Sequence, residues 1–183
     1  MPEGTNAAGD AMGKWLGPVP KAEKVRAALS RYVNYRHPME ISVMEPNDDR
    51  AFGRFDVYEI AKSFPPTADT LLLDTYLTNE EAASARVFRV YKETPPHYHA
   101  TCDEYLYVLF GRGTFWMGSP ENTGEFSPGH LLFFKRGTVH ALPDMIEWPV
   151  VFLSVDTPRR DPKDIIFVNP EDGTPENFIR QRP

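Results

Sequence analysis

Between residues 37 and 168 the chain is divided into short apolar runs separated by clusters of turn-forming residues. The runs span residues 40–44, 52–60, 70–77, 86–92, 114–117, 130–134, 138–142 and 150–156. Breaks such as Pro46-Asn47-Asp48-Asp49, Phe64-Pro65-Pro66-Thr67 and Thr78-Asn79-Glu80-Glu81 part them. Punctuation every 8–12 residues or so is the signature of an all-β sandwich or barrel. The 18 prolines and the 13% aromatic content fit many turns and little helix.

At 183 residues the chain suits one domain with an extra arm. Residues 1–36 read as an N-terminal arm and helix. The first 19 residues are rich in Gly, Ala and Pro, and Val25, Ala28, Leu29, Tyr32 and Val33 then follow at helical spacing within 21–33. Residues 37–168 would form the barrel, with 165–168 able to add an edge strand. Residues 169–183 read as a polar C-terminal tail. The net charge of −6 argues against a nucleic-acid surface. No apolar run approaches the roughly 20 residues needed to span a membrane. A start lacking basic and apolar signal regions, with one cysteine in the whole chain, points to the cytoplasm.

The chemistry concentrates at residues 97–111. His97 and His99 sit two apart, so on a strand they project to the same side. Glu104 opens an alternating apolar stretch that runs to Gly111-Arg112-Gly113. His140 lies on a second strand that could close over the first pair. Imidazole and carboxylate suit Zn, Fe, Mn, Ni or Cu. The bland alternative is that each ring simply packs in a barrel wall. Glycine pairs punctuate the same region: Gly111 and Gly113 suggest a hairpin, while Gly129 and Gly137 mark turns around the run at 130–134.

The pattern His97-x-His99-x4-Glu104-x6-Gly111 resembles the first motif of the cupin family. Gly129-x7-Gly137-x2-His140 resembles the second. The likeness covers residues 85–157, and the spacing between the motifs suits small single-domain bacterial cupins. It departs from the usual pattern at Tyr91, Lys135 and Asp144, none of them at a ligand position. The resemblance implies a double-stranded β-helix, or jelly roll. It also implies one divalent transition metal per chain held by His97, His99, Glu104 and His140. An octahedral ion with four protein ligands keeps open positions, which favours Fe, Mn or Ni, with Zn as the alternative.

The function expected from this is a metal-dependent enzyme such as a dioxygenase acting on an oxygen-chelating small molecule. Glu104 could also loosen and serve as a catalytic base. A metal-dependent isomerase, lyase or decarboxylase of a sugar acid or carboxylate is one alternative, and a non-catalytic ligand-binding protein is another. Partners would be a small molecule and a second copy of the chain, with no nucleic acid and no membrane. On strand parity, Glu104, Leu106, Val108 and Phe110 should face inward, and Tyr105, Tyr107 and Leu109 outward. The interior would then be mostly apolar, with Phe88, Phe115, Met117, Phe134 and Phe152 as core. Trp116 and Trp148 read as interface or rim aromatics. Cys102 reads as structural, Asp103 as wrongly spaced to be a ligand in place of Glu104, His130 as a surface or rim residue, and His37 as unrelated to the site. Arg159-Arg160 reads as a solvated edge.

Overall fold

The structure, a computed structural model, describes residues 53–181, and the helix expected at 21–33 and the run at 40–44 lie outside them. The chain order is α1 (Val57–Lys62), β1 (Leu72–Glu80), β2 (Ala83–Val90), β3 (Thr94–Tyr98), β4 (Asp103–Met117), β5 (Ser119–Phe126), β6 (Leu131–Phe134), β7 (His140–Leu142), β8 (Met145–Thr157) and β9 (Ile166–Phe167). A 3-10 turn (Pro170–Asp172), α2 (Pro175–Phe178) and β10 (Ile179–Gln181) follow. The all-β expectation holds for these residues. One curled sheet runs β10-β1-β2-β8-β4-β7-β3-β9, with β5 and β6 also paired to β4. Every pairing is antiparallel except β1 with β10.

The period-2 pattern of β2 shows how the sheet separates its faces. Ser84, Arg86, Phe88 and Val90 are buried on one side, and Val87 joins a second cluster on the other. Register carries this pattern across the sheet. Val90, Phe88, Arg86 and Ser84 lie opposite Val150, Phe152, Ser154 and Asp156 of β8. Val108, Leu106 and Glu104 of β4 then lie opposite Phe152, Ser154 and Asp156. The inner face is therefore apolar at one end and charged at the other. The apolar end forms the main core with Phe126, Leu132 and Phe134.

Four local expectations are corrected. The run 52–60 does not become a strand: Asp56 caps α1 by accepting from the Glu59 amide at 3.1 Å, and Ile60 and Ala61 bury against Val87 and Val151. No hairpin forms at 111–113, because β4 continues through all 15 residues and absorbs the glycines as irregularities in its pairing with β8. A register shift between Val108 and Phe110 also breaks the parity. Leu109 is consequently buried with the outer cluster, and Phe110 packs against that cluster beside Tyr58. Residues 169–181, read as a tail, return to the sheet: α2 delivers Phe178 to the main core, and β10 pairs with β1.

Gly111 shows why the bulge tolerates little else. Its φ is +84°, and a Cβ there would stand 2.4 Å from the Pro149 carbonyl oxygen. Gly118 has φ +78° but open space around it. Gly111→Ala should cost about 2–3 kcal/mol, lowering Tm by roughly 5–10 °C in a thermal melt, and Gly118→Ala distinctly less.

Candidate metal centre

Two strands and a turn bring the histidines together. β3 supplies His97, the turn after it His99, and β7 His140, with His97 directly opposite His140 across the β3–β7 pair. All three are buried. Their ring centroids lie 4.4 to 5.4 Å apart, and one ring nitrogen from each falls within 4.8 Å of the others.

The second nitrogen of each ring determines what the first can do. His97 Nδ1 donates to the Pro95 carbonyl at 2.7 Å and His140 Nδ1 to that of Thr138 at 2.9 Å. His99 Nδ1 donates to the carbonyl of Asp164. A carbonyl only accepts, so each Nδ1 carries a proton, and Nε2 is the nitrogen left to serve as a ligand. Among the described residues, the buried Nε2 atoms of His99 and His140 meet no hydrogen-bond partner. Burial, with the neighbouring His140 and His99, also holds the His97 pKa well below the usual imidazole range. Convergent and buried, and without a partner at His99 and His140, these nitrogens fit a cation.

Glu104, at the start of β4, stands against two of the three. Its Oε2 is 3.5 Å from His99 Nε2 and 3.4 Å from His140 Nε2. Two donors each about 2.1 Å from one ion can be no more than about 4.2 Å apart, so these spacings suit a shared ion. Burial resists ionisation of Glu104, but His99 and His140 hold its carboxyl well below the usual range. Its other oxygen accepts from Arg86 Nη2 at 3.3 Å. Phe134 stacks on His140 at 4.0 Å, and Phe178 lies 4.9 Å from His97. The chamber these residues share measures about 20 Å³, room for an ion or a single water.

Beneath the chamber lies a charged interior that the sequence reading, with its mostly apolar inner face, did not anticipate. Arg86 is 1% exposed and forks to three carboxylates. Nη1 is 3.2 Å from Asp74, Nη2 3.3 Å from Glu104, and Nε 3.4 Å from Asp156. Burial penalises the guanidinium, but Asp156 and Asp74 outweigh it and raise its pKa. Arg160, read as a solvated edge, is 2% exposed, while its neighbour Arg159 does face solvent.

Asp164 was also missed. Its carboxylate accepts from the amides of Ala100 at 2.8 Å and Thr101 at 2.9 Å, and from the Thr101 hydroxyl at 2.5 Å. One residue thus fixes both the turn after His99 and the ring of His99 itself. Burial pushes the Cys102 thiol up to about 12, with Asp156 adding to the shift, which keeps it an unreactive core group. Asp103 faces outward to Arg136 at 2.9 Å, and the half-turn at His130 is exposed, so neither joins the centre. His37 lies outside the described residues.

The family model described as Cupin domain matches residues 87–156. The chain carries a cupin domain. Similar solved structures include an uncharacterized conserved protein with a double-stranded β-helix domain from Klebsiella pneumoniae, 21% identical, covering 58% of this chain and 90% of that one, with TM-score 0.48. TT1209 from Thermus thermophilus is 19% identical, covering 55% and 94%, with TM-score 0.47. KdgF from Halomonas sp. is 19% identical, covering 50% and 82%, with TM-score 0.45. No curated protein sequence matches the chain. No helix among the described residues is long and apolar enough to cross a membrane.

The charged network under the cupin centre sets a stability test. Removing Arg86 strands three buried carboxylates, and breaking a buried pair costs about 3–5 kcal/mol. Urea denaturation of metal-free Arg86→Met at neutral pH should show a loss of that order, whatever the state of the metal site.

Proposed function

We propose that this cupin is a metal-dependent enzyme acting on a small oxygen-chelating molecule, with dioxygenation as the leading reaction. Three buried histidines, each turned by a backbone carbonyl so that its free nitrogen points into one ion-sized chamber, carry the reading. His97, His99 and His140 would hold a divalent transition metal, Fe, Mn or Ni ahead of Zn, with Glu104 as fourth ligand. When bound, such a metal polarises a substrate oxygen or activates O2.

The chain's own groups have narrower roles. Glu104 is held by Arg86 and faces His99 and His140, so we assign it first to holding the ion; serving as a base would require it to loosen from that contact. Phe178 and Leu142 wall the chamber and limit water beside the histidines, and Phe134 backs His140 by stacking on it. A second reading, non-redox isomerisation, lyase or decarboxylase chemistry on a carboxylate, draws support from the buried cations Arg86 and Arg160. A mostly apolar interior would not favour it. A purely binding role would leave the metal site intact but yield no turnover.

Anaerobic purification followed by elemental analysis should find about one metal per chain. His99→Ala should weaken metal affinity by at least about tenfold while keeping the fold by circular dichroism. Metal content unaffected by His99→Ala would sink the metal-centre assignment. O2 uptake by the Fe(II)-loaded protein with chelating substrates separates dioxygenation from the non-redox reading.

The homodimer belongs to the same proposal. Tyr107, Leu131, Phe133 and Val155 are exposed, and pairing places Tyr107 beside Leu131 and Tyr105 beside both Phe133 and Val155 on one outward face. Light scattering should return twice the chain mass, and Phe133→Glu should shift it toward the monomer.

A further inference from the structure

We infer that Arg160 is the docking point for a carboxylate of the substrate, which makes the ligand of this cupin a small anionic, hydroxyl-bearing acid. The inference rests on the metal-centre reading for where the rest of the ligand points, but its own basis is separate.

Arg160 is buried, yet it is poorly paired. Its nearest carboxylate, Asp156, stands 3.8 Å from Nε, beyond hydrogen-bonding distance. Among the described residues, neither Nε nor Nη2 has a hydrogen-bond partner. Leaving a buried guanidinium in this condition is costly, and proteins keep such groups where a ligand completes them. Asp156, the neighbour that would otherwise satisfy it, also faces Arg86 Nε at 3.4 Å.

Arg160 also stands where a ligand could reach it. It lines the small chamber of the histidines and an adjoining cavity of about 250 Å³. The chamber takes an ion but no organic molecule, whereas the cavity is large enough for a small acid. Asp74, Tyr76 and Lys163 line the same cavity. The Asp74 Oδ1 atom is buried without a partner, and this acceptor suits a ligand hydroxyl. Lys163 adds a second cation at the solvent-exposed side.

Charge supports the same assignment. The connected ion pairs join Arg86 and Arg160 to Asp74, Glu104 and Asp156, two cations against three anions. A divalent metal at the histidines would turn that single negative excess into a single positive one. A ligand carboxylate on Arg160 cancels it, and a planar guanidinium receives a carboxylate through two parallel hydrogen bonds.

Calorimetric titration with L-malate tests this on metal-free protein and on protein loaded with Mn(II). Binding is expected in both, tighter with Mn(II), and about tenfold or more weaker in Arg160→Met. Glycerol, the neutral control, should not bind. Should Arg160→Met fail to fold, Lys163→Glu, altered only at an exposed side chain, should still weaken malate several-fold. Unchanged affinity in the folded variant, or glycerol binding as well as malate, overturns the inference. Inorganic phosphate binding more tightly than malate overturns the carboxylate class. Mn(II) bound with malate ignored defeats this inference and leaves the metal centre standing. Arg160-dependent malate binding in a protein that takes no metal keeps this inference and removes the metal reading.

Discussion

The interior is organised by one guanidinium. Arg86 projects from β2 and reaches carboxylates on β1, β4 and β8, so three neighbouring strands converge on a single buried cation. Interiors seldom accept such a group, because desolvation costs several kcal/mol per ion. It survives here because every arm of the fork faces an anion, and because the anions need it equally. Through Glu104 the same contact reaches the histidine cluster. The packing of the sheet and the electrostatics of the site are therefore one arrangement.

This arrangement also explains what could be read from the sequence. The histidine spacing, Glu104 and His140 were legible through the resemblance to the two cupin motifs, which records them as fixed steps punctuated by glycines. The structure brings His97, His99 and His140 together and sets Glu104 against two of them. Arg86, Asp74 and Asp156 were not legible in the same way. In a period-2 pattern a charged residue on a strand signals the solvent face, and only cross-strand register reveals that these three point inward at one another. Arg160 failed for a related reason, since adjacent arginines after a strand look like a polar exit.

Other departures follow from local chemistry overriding the pattern. Asp56 converts an apolar run into a helix by capping it. The irregularity near Leu109 moves Phe110 from the inner face that strict alternation assigned it to the outer cluster that Leu109 also joins. The apolar residue buried from the C-terminal segment is a single phenylalanine in a polar stretch, too sparse a signal to define an element. Asp164 lies far in sequence from the turn it holds, and no motif spacing records such a contact.

That phenylalanine gives the site an order of construction. The imidazoles all come from residues 97–140, but the wall beside His97 is completed by Phe178. A chain made from its N-terminus therefore assembles the three nitrogens before it can close the chamber over them. The Asp164 carbonyl that turns His99 arrives between the two, so the cluster is oriented and then walled by segments that follow its last imidazole in the chain. Loosening residues 175–178 would open the side beside His97 without removing any of the three rings.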